Sequence, residues 1–256
     1  MKNIIYIILS VLMFTACKKV TTTPTNSNTN TSDTTISKND TAKYFTDGIV
    51  SIGKPIGKIG SGVTDIDGNK YRTVIIGKQE WMAENLKTNR YAEGPFIRDV
   101  TQPKSVSNCI FYNYNDTNNT KYGNLYSWNA VYPYNHNGLN LCPTGWHVPS
   151  DEEWLILVGF LGGINEAARK MKDIDTLSWY SPNIISNNVS LFSALPGGFY
   201  SNDGYFSGIG KKGYWWSTTP FSGNAARCIV LDENIYNVDR TIGKKLDAFS
   251  VRCIKD

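Results

Sequence analysis

The chain has 256 residues, of which 41% are apolar, 12% aromatic and 19% charged. The aromatic content excludes an intrinsically disordered protein, and the low charged fraction excludes a coiled coil, which would be rich in Glu, Lys and Leu. The formal net charge is only +4 and the basic residues form no long stripe, so we expect no nucleic-acid partner.

The N-terminus has the pattern of a secretory signal peptide. Lys2 precedes an apolar run from Ile4 to Phe14, which is shorter than the roughly 20 residues that span a bilayer. The following Thr15-Ala16-Cys17 resembles a bacterial lipobox, in which Cys17 becomes the lipidated N-terminus. The alternative is an ordinary signal peptide with an incidental cysteine. We expect residues 1–16 to be removed and Cys17 to hold the protein on the outer membrane, facing the cell surface or the periplasm.

A polar tether is predicted for residues 17–43. From Thr21 to Asp40, fifteen of twenty residues are Thr, Asn or Ser, a composition that cannot bury a core. Residues 44–61 are rich in glycine and predict an irregular lead-in with loops or an edge strand. Residues 62–256 are left as one globular domain.

The first part of that domain predicts a hairpin and two short helices. Residues 63–76 predict a hairpin that turns at Asp67-Gly68-Asn69. The spacing of Asp65, Asp67 and Asn69 also matches the first ligands of a calcium loop, but Ile76 stands where the bidentate Glu belongs. Residues 79–86 and 122–131 predict short helices.

The clearest local signal is a capping box. Ser150 and Glu153 have the spacing in which each side chain bonds the other's backbone N–H. The apolar residues Trp154, Leu157, Val158 and Leu161 then recur with helical period. Gly162-Gly163 ends this helix, and Asn165 is predicted to cap a second helix through Met171.

Later in the chain the pattern changes to short strands. Predicted strands cover residues 191–195, 198–200, 213–218, 226–231, 235–238 and 249–254. Helices early and strands late predict an α+β fold with a mostly antiparallel twisted sheet.

The cysteines other than Cys17 are compatible with disulfides. In an exported chain, Cys109, Cys142, Cys228 and Cys253 allow two disulfides in three pairings. No pair has Cys-x-x-Cys spacing, so zinc and redox sites are disfavoured.

Motifs of common enzymes are absent. The sequence has no Gly-x-Ser-x-Gly, His-Glu-x-x-His or phosphate loop. Gly208 to Gly213 match Gly-x-Gly-x-x-Gly, but an aromatic strand follows where a dinucleotide site needs a helix. His147 is a candidate general base, with a hydrogen-bonded structural histidine as the alternative. We therefore expect no enzymatic activity, cofactor or metal.

Four residues are candidates for ligand binding. Tyr200, Asn202 and Asp203 surround a predicted hairpin tip that could hold a hydroxyl-rich ligand, with a plain turn as the alternative. Trp216 could stack on a sugar ring, with strand packing as the alternative.

Seven segments resemble a known family. They are residues 64–69, 76–86, 122–128, 142–154, 192–198, 213–219 and 250–256, which include Trp81-Met-Ala-Glu-Asn85, Cys142-Pro-Thr-Gly-Trp-His147 and Ser250-Val-Arg-Cys253. In this order they resemble the Fibrobacter major paralogous (FISUMP) domain.

The resemblance implies a bacterial surface protein without an assigned enzymatic role and a C-type lectin-like fold. It implies a disulfide between Cys142 and Cys253, which leaves Cys109 to pair with Cys228. It also implies a ligand-bearing loop region at about residues 173–212. The Glu-Pro-Asn and Trp-Asn-Asp triplets of calcium-dependent lectins are missing.

The sequence thus leaves three hypotheses. The first is a lipid-anchored, non-catalytic lectin-like module that binds glycan or protein. The second is a structural or antigenic surface protein without a small ligand. The third is an oxidase on a related fold that uses a reactive cysteine.

Overall fold

The computed structural model describes residues 43–46, 48–97, 109–110, 116–132, 138–175, 177–180 and 186–256. The predicted signal peptide, Cys17 and the tether through residue 42 lie outside the described residues. None of the described helices is long and apolar enough to cross a bilayer.

The described residues form a strand-rich mixed fold with a few short helices. The strands are β1 (Lys43–Thr46), β2 (Ile49–Ile52), β3 (Lys58–Ile59), β4 (Val63–Thr64), β5 (Lys70–Tyr71), β6 (Thr73–Ile76), β7 (Gln79–Met82), β8 (Cys109–Ile110), β9 (Leu125–Ser127), β10 (Trp146–His147), β11 (Gly197–Ser201), β12 (Tyr205–Ile209), β13 (Lys212–Pro220), β14 (Ala225–Asp232), β15 (Asp239–Lys244), β16 (Ala248–Phe249) and β17 (Ile254–Lys255). The helices are α1 (Asp116–Tyr122), α2 (Trp128–Val131), α3 (Asp151–Phe160) and α4 (Ile164–Met171).

Two larger sheets organise these strands. One has the order β10-β17-β7-β6-β3, and the other has the order β15-β14-β13-β11-β16-β9-β8, with β12 paired to β11. Among the described strands, every pairing is antiparallel except a parallel bridge between Gly198 of β11 and Gly213 of β13. The predicted mixed class and mostly antiparallel sheet are confirmed.

The core is built from aromatic side chains. All seven tryptophans are at most 4% exposed. Trp81 of β7 packs on Trp154 of α3 with ring centroids 4.7 Å apart, and Phe192 meets both rings edge-on. Large flat side chains bury much apolar area per residue, and this joins the first sheet to α3.

Helix α3 forms as the sequence predicts. The Ser150 hydroxyl accepts a hydrogen bond from the Glu153 N–H at 3.2 Å, and the Glu153 carboxylate accepts one from the Ser150 N–H at 2.7 Å. Trp154, Leu157 and Val158 face the core. The following helix α4 begins two residues earlier than predicted, because Gly163, with φ of +86°, is its N-cap in place of Asn165.

The predicted turn at Gly68 is also confirmed. Gly68 has φ of +84° between β4 and β5, which pair antiparallel. In the predicted irregular lead-in, β1 and β2 form a hairpin and β3 joins the first sheet.

One predicted helix is wrong, and another is confirmed only in part. Residues 79–82 form strand β7, because the two-residue turn Gly77-Lys78 pairs Ile76 with Gln79. In the predicted helix of residues 122–131, Tyr122 ends α1, residues 125–127 form strand β9 and residues 128–131 form α2. Leu125, Trp128 and Val131 are buried as expected.

Two predicted strands are absent, and the predicted strand 249–254 is divided between the end of β16 and the start of β17. Residues 191–195 are irregular, with Leu191 and Ser193 at positive φ, which interrupts any ladder. Residues 235–238 form no strand, and the strand that the pattern predicted there begins later, at Asp239 of β15.

One predicted disulfide is present and the other is wrong. Cys142 and Cys253 are bonded, with Cα atoms 5.9 Å apart. Cys228 is buried as a free thiol. Four strands separate β14, which carries Cys228, from β8, which carries Cys109. Neighbouring strands are spaced about 4.8 Å apart, whereas bonded cysteines have Cα atoms within about 7 Å.

Candidate functional site

A shallow groove of about 450 Å³ lies beside the hairpin of β11 and β12 and the turn into β13. Among the described residues, its lining combines aromatic rings, a serine hydroxyl group and two lysines and includes no carboxylate side chain. The lining residues are Tyr180, Phe199, Ser207, Gly208, Ile209, Lys211, Lys212 and Tyr214.

Aromatic rings give the groove its shape. The rings of Phe199 and Tyr214 lie 5.0 Å apart, and Tyr205 meets Phe199 edge-on at 6.3 Å. Tyr180 is 52% exposed, so a ring face remains open to solvent. Aromatic faces bind the apolar face of a sugar ring by the same contacts that stabilise aromatic pairs.

A glycine positions Tyr180. The Tyr180 N–H donates to the Gly210 carbonyl at 2.7 Å. Gly210 has φ of +76°, and a Cβ at this position would clash with the Tyr180 ring. The backbone turn and the ring therefore need a residue without a side chain here.

The ammonium groups of the two groove lysines differ in their partners. The Lys212 ammonium lies 2.9 Å from an Asp232 carboxylate oxygen, and this hydrogen bond raises the pKa of Lys212. Lys211 is exposed, and its ammonium has no hydrogen bond or ion pair with the described residues. Burial raises the pKa of Tyr214, whose hydroxyl stays protonated near neutral pH.

The four residues predicted to bind a ligand are not among the residues that line the groove. Trp216 is fully buried, stacks on Phe249 at 4.1 Å and donates its indole N–H to the Tyr126 carbonyl at 2.7 Å, so it offers no surface to a ligand. The prediction of a sugar-stacking Trp216 is therefore wrong, because strand packing uses the whole ring.

The hairpin-tip residues lie outside the groove lining. Tyr200 is buried against Phe206 on the sheet face opposite Phe199, since neighbouring strand residues point to opposite faces. Asn202 and Asp203 are exposed on the turn. The Asn202 N–H donates to Asp247 at 3.0 Å, and the Asp203 N–H donates to Ser201 at 3.2 Å.

The groove overlaps the loop region that the sequence singled out, but its residues were missed. The signal that could have found it is the glycine pattern from Gly208 to Gly213, a segment in which Gly208, Lys211 and Lys212 line the groove. Tyr180 and Tyr214 are distant in sequence, so the sequence alone does not show that both line one groove.

His147 bridges two carboxylates. Its Nδ1 lies 2.6 Å from Asp256 and its Nε2 lies 2.9 Å from Glu153. The hydrogen bond with Glu153 is the main cause that raises the pKa of His147 to about 9. Both ring nitrogens are engaged, so this histidine holds the end of β17 to the start of α3.

Asp65 organises the first turn with its own carboxylate. Its oxygens accept from the N–H groups of Asp67 and Asn69, from the Asn69 amide at 2.8 Å and from the Tyr71 hydroxyl at 2.6 Å. These bonds occupy the carboxylate that the calcium interpretation would use. In the described part of the chain, no group of three or more His, Cys, Asp or Glu side chains is arranged to hold a metal ion.

The free thiol of Cys228 is in an inert environment. It is 1% exposed, and burial raises its pKa to about 12. The thiolate is the reactive form of cysteine, so this environment disfavours redox chemistry at Cys228.

Comparison with known proteins identifies the family. Residues 74–255 match the model of the Fibrobacter succinogenes major domain, which covers more than half of the chain. No curated protein and no solved structure matches the chain. The chain belongs to the Fibrobacter succinogenes major domain family.

Proposed function

We propose that this protein is a lipid-anchored component of the bacterial outer membrane whose globular domain binds a glycan without catalysis. The observation that carries the proposal is the groove beside β11 and β12. It presents the exposed Tyr180 ring next to the Ser207 hydroxyl and two ammonium groups. Sugar sites commonly pair an aromatic face with a few polar groups that fix orientation.

The anchor part of the proposal rests on the sequence. A short apolar run ends at Thr15-Ala16-Cys17, and a Thr-, Asn- and Ser-rich segment follows. Acyl chains contribute about 0.8 kcal/mol for each buried CH₂ group, so a multiply acylated Cys17 would hold the domain stably on a membrane.

Glycan binding is tested on a glycan array with the full-length mature protein in detergent, with and without calcium. We expect retention of a subset of glycans, independent of calcium, and loss of that retention in Tyr180→Ala. Tyr236→Ala is the matched control, because Tyr236 is 55% exposed but does not line the groove. Silence across the array would contradict the proposal and favour a structural or antigenic role.

The anchor is tested by membrane fractionation. Cys17→Ser should move the protein from the membrane to the soluble fraction, while the wild type stays with the outer membrane. Continued membrane attachment of Cys17→Ser would contradict lipidation at this residue.

A further inference from the structure

We propose that the groove selects acidic carbohydrates, with the Lys211 ammonium binding the carboxylate of a uronic acid whose ring stacks on Tyr180. The inference rests on the proposed glycan binding and names its ligand class.

The groove lining is positively charged. Among its described residues, two are lysines and none has a carboxylate. Lys212 is neutralised by Asp232, whose side chain is only 16% exposed. One positive charge, that of Lys211, therefore remains without a counterion among the groove residues.

The Lys211 backbone is fixed on both sides. Its N–H donates to the Gly208 carbonyl at 3.0 Å, and its carbonyl accepts from the Glu233 N–H at 2.7 Å. Because the backbone is held at the groove, Lys211 loses less conformational entropy on binding an anion than a lysine on a free loop would.

The nearby carboxylates of Asp232 and Glu233 do not pair with the Lys211 ammonium. Asp232 accepts from the Asn234 N–H at 2.9 Å besides binding Lys212. Glu233 accepts from the Asn234 amide at 3.2 Å, and neither acid belongs to the groove lining. An ammonium–carboxylate contact is a charge-assisted hydrogen bond, roughly twice as strong as a neutral one.

A uronic acid fits both features at once. Its pyranose ring has an apolar face for Tyr180, and its carboxylate extends from the ring edge. Lys211 lines the same groove and directly follows Gly210, which holds the Tyr180 backbone. A neutral sugar would use the ring and leave the ammonium with water alone.

The test compares an acidic probe with its neutral methyl ester, which keeps the same sugar rings. Isothermal titration calorimetry of the full-length protein in detergent would use tetragalacturonate and its fully methyl-esterified form. We expect at least tenfold weaker binding of the ester, and a similar loss for tetragalacturonate with Lys211→Gln. Lys78→Gln is the control, because Lys78 is exposed on the turn between β6 and β7, away from the groove lining.

The outcomes separate this inference from the proposed function. Equal affinity for the acid and the ester, or unchanged binding in Lys211→Gln, would overturn the acidic preference while leaving glycan binding in place. Binding of neutral array glycans with no binding of tetragalacturonate would overturn it as well. Absence of every glycan would overturn the proposed function itself. Because Lys211 is exposed, Lys211→Gln should keep the thermal stability of the wild type. Equal melting temperatures would exclude a folding defect in the variant.

Discussion

The guanidinium of Arg252 donates to the side-chain oxygen of Asn85, at 3.0 Å from Nη2 and 3.3 Å from Nε, across 167 residues of sequence. Both side chains are buried. Arg252 also donates to the carbonyls of Phe192 and Ser193 and lies over the Phe192 ring. Burial lowers the pKa of Arg252 to about 9, although the charges of Glu84 and Asp173 oppose this shift.

Asn85 joins further parts of the core. Its oxygen also accepts from the Trp215 indole N–H at 2.9 Å, and its amide donates to the Tyr122 carbonyl at 2.8 Å. The residues of five family-like motifs thus meet in one network. A buried network of this kind is stable only when each member is satisfied.

Asn85→Ala should be strongly destabilising. The substitution leaves the Arg252 guanidinium, the Trp215 N–H and the Tyr122 carbonyl short of partners, and each unsatisfied buried group costs about 1–3 kcal/mol. We expect the free energy of unfolding, measured by urea denaturation, to fall by about 3 kcal/mol or more. Asn234→Ala, at an exposed position, is the control and should change it by less than about 0.5 kcal/mol. A loss of similar size in both variants would contradict the role of the network.

Removing the disulfide should destabilise the domain substantially. Cys142 and Cys253 are 111 residues apart, and the chain-entropy model gives about 4–5 kcal/mol for a loop of this length. The double variant Cys142→Ala/Cys253→Ala should show this loss in denaturant unfolding. An unchanged midpoint would show that the crosslink adds little to the native packing.

Cys228 should resist alkylation in the native protein. Its thiol is buried and its pKa of about 12 leaves almost no thiolate at pH 8. Iodoacetamide treatment followed by peptide mass mapping should modify the peptide that contains Cys228 only after denaturation. Rapid modification of this peptide in the folded protein would refute the assignment and reopen thiol chemistry.

The His147–Glu153 pair should make the stability of the protein fall both at alkaline pH and at acidic pH. The folded-state pKa of His147 is raised from 6.5 to about 9, so its stabilisation is complete below pH 6.5 and is lost as pH rises through 9. For Glu153, burial opposes ionisation, but hydrogen bonds from His147 and Ser150 lower its pKa from 4.5 to about 2. The contribution of Glu153 is therefore complete above pH 4.5 and is lost as pH falls towards 2.

These shifts predict the behaviour of His147→Gln. Thermal melts should show a smaller stability difference between wild type and variant at pH 10 than at pH 6, because the wild type has lost the charged histidine by pH 10. A difference that stays constant across this range would show that the histidine acts without its charge.

Gly210→Ala should weaken the groove more than the fold. The left-handed backbone costs a residue with a Cβ about 1–2 kcal/mol, and the new methyl group would displace the Tyr180 ring. We expect glycan retention on the array to be lost while the protein still unfolds cooperatively. Gly223→Ala is the control, because its Cβ would meet open space and its φ is not left-handed. Loss of retention in both variants would argue against the Tyr180 contact.

Local patterns in the sequence were sufficient for the elements whose signals lie within one turn or one helix. The Ser150–Glu153 capping box, the buried stripe from Trp154 to Leu161 and the turn at Gly68 were all predictable, because their hydrogen bonds and periodicity involve near neighbours. The family-like motifs likewise led to the Cys142–Cys253 bond.

Tertiary structure decided the features that depend on distant partners. Residues 79–82 are too few to distinguish a helix from a strand, and pairing with β6 and β17 settles them as β7. Trp216 lies under Phe249 because two distant strands meet there, which removes it from any ligand surface. Tyr180 joins Tyr214 in the groove only through the turn at Gly210. The sequence by itself determined an aromatic, strand-rich domain of this family, whereas long-range pairing determined which aromatic rings are core and which remain open to a ligand.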